Sequence, residues 1–154
     1  MEYIVRGVPQ EIADEVRRKR LSPGYGHPAH LEVATGTGPC RCCLRTFVPG
    51  VDRRLLFTYR PQGRGNSLTA PGPVFIHADH CDAYTDAGFP EGLRGLPLAF
   101  EARTTGSRVS ALSASAEPAE AQIQQLFTTD GAEWLHLRHA EAGCFIACIA
   151  PLSF

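Results

Sequence analysis

Apolar and polar positions alternate or recur at helical spacing in short bursts, and each burst predicts one element. Tyr3 to Arg6 alternates and predicts a strand. Ile12, Ala13 and Val16 form one stripe within Gln10 to Arg20, so an amphipathic helix is expected there, opened by Pro9. Its charges, Arg17-Arg18-Lys19-Arg20 included, read as a solvated face that suits the negative pole of the helix. Leu31 to Ala34 predicts a short strand. Pro39 to Val48 and Arg53 to Arg60 predict a hairpin around Pro49-Gly50-Val51-Asp52. On its first strand Cys40, Cys42 and Leu44 would share one face, and Arg41, Cys43 and Arg45 the other. Pro73 to Asp79 is a further strand, and Leu98 to Thr104 pairs with Val109 to Ala114 around Thr105-Gly106-Ser107. After Pro118, the spacing of Ala119, Ile123, Leu126 and Phe127 predicts a helix capped by Ser115 or Glu117 and ended at Asp130-Gly131.

The last pattern, Trp134 to Ala150, predicts a hairpin turning at Glu141-Ala142-Gly143, where Gly accepts a positive φ at little cost. With Ala140 facing Cys144, His136 would lie opposite Cys148 and Arg138 opposite Ile146. Leu135, Leu137, His139, Phe145, Ala147 and Ile149 would form a core face. Trp134, His136, Arg138, Cys144, Ile146 and Cys148 would form a second, chemical face.

This order of elements implies an α+β fold, mostly an antiparallel or mixed sheet built of hairpins with two short helices packed on it. A chain of 154 residues is expected to form one domain, 1–154. Hydrophobic content of 44% with 20% charged residues is ordinary for a water-soluble protein. The formal net charge of -1 argues against nucleic acid or an anionic membrane as partner. The N-terminal segment lacks the basic-then-apolar order of a secretory signal, so the cytoplasm is the expected location. There, six cysteines are expected as thiols, metal ligands or core residues, not as a disulfide framework.

Those thiols, with the histidines and arginines, supply three candidate chemistries. The runs Cys40-x-Cys42-Cys43 and His77-x-x-His80-Cys81 offer candidate metal ligands that Cys144 and His136 could join, and their sulfur and imidazole donors make zinc the candidate cofactor. The run is read as a Cys40-x-Cys42 pair on a strand face, not as a Cys-x-x-Cys knuckle. Cys40 and Cys144, with positive neighbours and His136 as proton carrier, are candidates for thiol catalysis. Arg41, Arg138 and Arg60 are candidates for gripping a small anionic ligand, because guanidinium meets carboxylate and phosphate bidentately. The Gly- and Pro-rich stretch Gln62 to Pro73 would cover such a site.

Pro39-Cys40-Arg41, Gly72-Pro73-Val74-Phe75, Leu135 to Ala140 and Gly143-Cys144-Phe145, with Pro23-Gly24-Tyr25 before them, resemble a bacterial family of unknown function, DUF1203. The resemblance spans most of the chain and implies a small soluble protein without an assigned activity. Cys40, Arg41, His136 and Cys144 match its pattern best, position 138 departs from it in being Arg, and Cys42, Cys43, His80 and Cys81 stand outside it. The resemblance thus favours a pocket built on Cys40, Arg41, His136 and Cys144. The expected function is an enzyme or accessory biosynthetic protein acting on a small anionic metabolite, with a metal-stabilised or ligand-binding module as the alternative.

Overall fold

The computed structural model describes residues 2–61, 69–104, 109–113 and 116–152. Among the described residues, eight strands form two antiparallel sheets, each with one helix against it. The strands are β1 (Tyr3–Arg6), β2 (His30–Val33), β3 (Arg53–Tyr59), β4 (Gly72–His77), β5 (Leu98–Arg103), β6 (Val109–Ser113), β7 (Trp134–His139) and β8 (Phe145–Pro151). The helices are α1 (Gln10–Lys19) and α2 (Ala119–Thr128). Five strands run in the order β1-β8-β7-β5-β6, and three in the order β2-β3-β4. The fold class is the expected α+β, divided into two sheets where one was expected.

Each helix stripe found in the sequence fills one core. Ala13 and Val16 of α1 pack with Leu55, Phe57, Val74 and Ile76 of the small sheet. Ile123, Leu126 and Phe127 of α2 pack with Phe100, Leu135, Leu137 and Ile149 of the large sheet. Both helices start after a proline whose carbonyl accepts the first bonds, from Ile12 and Ala13 at Pro9 and from Ala121 and Gln122 at Pro118. Pro118 therefore occupies the capping position expected of Ser115 or Glu117, and Ser115 lies outside the described residues. Arg20 ends α1 in the left-handed conformation, φ 56°, with its N–H on the Val16 carbonyl. The turn 105–108 and most of the expected covering stretch, 62–68, also lie outside the described residues. No described helix is long and apolar enough to cross a membrane.

Two expectations change. The stretch from Pro39 to Val48 is not a strand. It is a tight turn closed by an isolated bridge from Pro39 to Thr46, with the Cys40 N–H on the Arg45 carbonyl at 2.8 Å and the Leu44 N–H on the Cys40 carbonyl at 2.9 Å. Leu44 adopts φ 62° to turn the corner. Strand β3, freed of that partner, pairs with β2 on one side and β4 on the other. In the β7–β8 hairpin, Gly143 takes φ 76° and His136 pairs with Cys148 as expected. The register then shifts, so Arg138 pairs with Phe145 instead of Ile146. Ile146 is the extra residue of this bulge and turns into the α2 core, while Phe145 moves to the other face and joins the α1 core. Its ring reaches Tyr59 of the small sheet, centroids 5.9 Å apart, and so helps bring the sheets together.

Candidate metal centre

The turn at Cys40 is gripped from three sides. The Arg41 N–H donates to the Phe75 carbonyl on β4 at 2.9 Å. Gly7 lies so close to the Arg41 carbonyl that any side chain there would collide with it, and the Val8 N–H donates to that carbonyl at 2.6 Å. A Cβ at Gly92 would stand 2.6 Å from the Leu44 carbonyl oxygen. Leu44 is buried in the α2 core, whereas Cys40, Cys42 and Cys43 are buried in the α1 core. The turn therefore fastens the two cores together and points its thiols toward the end of β4.

At that end His77 closes the strand and Cys81 follows four residues on, in a bend held by the Ala78 N–H on the Arg53 carbonyl and by an Arg53–Asp79 ion pair. Cys40, Cys43, His77 and Cys81 thereby bring one ligand atom each to a common point, all within 4.8 Å of one another. A tetrahedral zinc with Zn–S of about 2.3 Å and Zn–N of about 2.0 Å has S···S edges of about 3.8 Å and S···N edges of about 3.5 Å. Cys40 Sγ and Cys81 Sγ are 3.8 Å apart, and Cys43 Sγ and His77 Nδ1 are 3.5 Å apart. The donor set and its spacing fit one tetrahedral ion.

The surroundings complete the fit. His77 Nε2 lies 3.3 Å from Asp52 Oδ2, the carboxylate–imidazole arrangement that orients a metal-binding histidine through its other nitrogen. Asp52 is itself fixed by the Val48 N–H at 2.8 Å. The His77 N–H donates to Cys40 Sγ at 3.2 Å, and Arg17 Nη2 donates to Cys81 Sγ at 2.9 Å. Hydrogen bonds with the Cys40 and Cys43 sulfurs push the His77 imidazole up to about 10. Hydrogen bonds from Cys40 and Cys81 hold the Cys43 thiol far below its ordinary range. A divalent ion bound by these groups would displace the protons they carry.

The other candidate residues lie elsewhere. Cys42 is buried with its Sγ 3.8 Å from the Cys81 carbonyl and is not one of the four converging groups. His80 is exposed and pairs with Asp82 at 2.9 Å. Cys144 and Arg138 line a cavity of about 220 Å³ with Tyr59, Pro71, Pro73 and Phe145. Arg138 is held there by Glu101 at 2.8 Å and the Gly143 carbonyl at 3.1 Å. Arg41 is buried and gives its guanidinium to the carbonyls of Phe145, at 2.9 Å, and Pro39, at 2.7 Å. Arg60 donates to the Thr69 carbonyl at 3.0 Å. His136 is fully buried between Trp134 and Phe145, and neither ring nitrogen has a hydrogen-bond partner among the described residues. Burial, with Arg103 and Arg138 nearby, lowers it to about 3.

Reading the cysteine run as a strand hid its useful spacing, since Cys40-Arg41-Cys42-Cys43 is also a Cys-x-x-Cys pair. A turn brings residues three apart together, whereas a strand sends them to opposite faces. Asp52 and Arg17 carried no comparable signal, one lying in an ordinary turn tetrapeptide and the other in a run of surface charges.

No curated protein and no solved structure matches this chain. The family described as Protein of unknown function (DUF1203) matches residues 37–150, which include all four converging groups. The chain belongs to the DUF1203 family.

Proposed function

We propose that this protein is a metal-binding module in which Cys40, Cys43, His77 and Cys81 hold one zinc ion in a closed, structural site. The observation that carries the reading is the convergence of three sulfurs and one imidazole nitrogen within 4.8 Å, with the Cys40–Cys81 and Cys43–His77 separations at tetrahedral edge lengths. Four protein ligands leave no position for substrate, and this favours a structural over a catalytic metal. The ion would join the turn after Pro39 to the end of β4, and so tie the fastening between the two cores to the small sheet. Cys40, Cys42, Cys43, Cys81 and Cys144 are free thiols, which suits a reducing compartment such as the cytoplasm. Native mass spectrometry of untagged protein tests the assignment. One zinc per chain is expected, lost on substituting Cys43→Ser together with His77→Ala and kept on substituting Cys144→Ser. Protein purified without metal that binds none on titration would refute it.

A second reading, an enzyme or accessory biosynthetic protein acting on a small anionic metabolite, draws support from the cavity shared by Arg138 and Cys144. Its test is titration with inorganic phosphate and short carboxylates followed by NMR. Shifts centred on Gly143 and Cys144, lost on substituting Arg138→Leu, would support it.

A further inference from the structure

Helix α1 is docked through the segment that carries two of the four ligands. Gln10 Nε2 donates to the Cys81 carbonyl at 3.1 Å, and Gln10 Oε1 accepts from the Ala83 N–H at 2.7 Å. About two turns further on, Arg17 uses all three of its nitrogens. Nε donates to the His77 carbonyl at 3.0 Å, Nη1 to Asp14 at 3.1 Å, and Nη2 to Cys81 Sγ at 2.9 Å. The Arg17 side chain is only 10% exposed, far from the solvated charge expected of a basic run. Beneath it Ala13 and Val16 pack in the same core as Cys40 and Cys81.

The electrostatics give this contact a purpose. Three thiolates, one neutral imidazole and one divalent ion sum to a single negative charge, set where solvent hardly reaches. A guanidinium bonded directly to one sulfur balances that charge and satisfies a sulfur lone pair. It also draws electron density from the sulfur, which makes the thiolate a weaker nucleophile. We infer that Arg17 is a positioning residue of the metal centre: it neutralises the metal–thiolate unit through Cys81 and so makes metal loading and the docking of α1 one event. The inference rests on the metal reading above. It implies that the Cys81 sulfur is quenched toward electrophiles when metal is bound, and that α1 loosens when metal leaves. Lysine would restore the charge but not the fork that reaches His77 O and Cys81 Sγ together.

The test uses the full chain as wild type, Arg17→Lys and Arg17→Met, each loaded with Zn²⁺ or with Co²⁺ as a spectroscopic probe. Native mass spectrometry comes first, and a wild type that binds no ion refutes the metal reading itself. In the metal-loaded proteins, Arg17→Met is expected to move the thiolate-to-cobalt charge-transfer band to lower energy, with Arg17→Lys between the two. Iodoacetamide should alkylate Cys81 of the zinc-loaded Met variant about tenfold faster than wild type, as located by peptide mapping. Amide exchange in residues 10–19 should rise in that variant toward the level of chelator-treated wild type. A Met variant that binds zinc but keeps the wild-type band position and the wild-type alkylation rate at Cys81 overturns the inference and leaves the metal site standing. If the Met variant does not fold, the same readouts on Arg17→Lys decide, through an intermediate shift or none.

Discussion

His136 should make the protein lose stability in mild acid, by an amount that follows from its surroundings. Its ring is fully buried, with Trp134 at 4.6 Å and Phe145 at 5.3 Å between centroids, both near edge-to-face. Protonation would place a cation in that slot with no acceptor at either nitrogen among the described residues and with Arg103 and Arg138 nearby. The folded state therefore holds the imidazole neutral down to about 3. In the unfolded chain it titrates near 6.5, so below that pH the unfolded state binds the extra proton, and stability falls as pH falls. The slope is about 1.4 kcal/mol per pH unit below 6.5, so roughly 2 kcal/mol is lost between pH 8 and pH 5. Urea unfolding at pH 8, 7, 6 and 5 on wild type and His136→Phe isolates this contribution, because acid release of a metal bound at the cysteine cluster would affect both proteins alike. The wild type is expected to lose about 2 kcal/mol more than the variant over that range. Parallel pH profiles, or an imidazole that titrates between pH 6 and 7 by NMR, would refute the reasoning.

Other perturbations act on the metal centre. Asp52→Ala removes the carboxylate behind His77 and should weaken zinc binding by about 10- to 100-fold in a chelator competition, with the fold retained. Gly92→Ala puts a methyl against the Leu44 carbonyl and must shift the cysteine turn; a loss of about 1–3 kcal/mol and weaker zinc binding are expected, from denaturant unfolding and metal titration. Leu44→Gly relieves a positive φ worth about 1–2 kcal/mol but empties a buried leucine site worth about 2–5 kcal/mol. A net loss is expected from it, and a more stable variant would show that the strain outweighs the packing.

Legibility in the sequence followed the range of the forces involved. Alternation and 3.6-residue stripes placed β1, both helices and the last hairpin, because those patterns answer to local geometry and to which face is buried. The same local logic failed at Cys40 to Arg45. There cysteine and arginine alternate as in a strand, yet closure on Arg45 and contact with Gly7, Phe75 and Gly92 bend the chain into a turn. Leu44 at a positive φ has no sequence signal, since glycine or asparagine is what such a position advertises. The Ile146 bulge was equally silent, because Phe145 leaves the α2 core for a ring on another sheet. The four converging groups all lay in runs legible as ligand-rich, but that Cys43 and not Cys42 joins Cys40 depends wholly on the turn. Arg17 looked like one charge among four, and only the distant segment from His77 to Cys81 distinguishes it.

The strained corner at Leu44 also bears on the order in which the molecule assembles. A leucine at φ 62° is unfavourable on its own, and what holds it comes from residues 7, 75 and 92, far along the chain in both directions. Closing such loops costs entropy before any contact repays it, so the corner forms only once both cores have begun to gather. An ion bound there would meet a site that exists late on the folding path, and its binding energy would be absent from the transition state. Zinc should accordingly leave the refolding rate in stopped-flow experiments unchanged and slow unfolding instead. The ion would act as a latch that sets the lifetime of the native state and has no part in guiding the chain toward it.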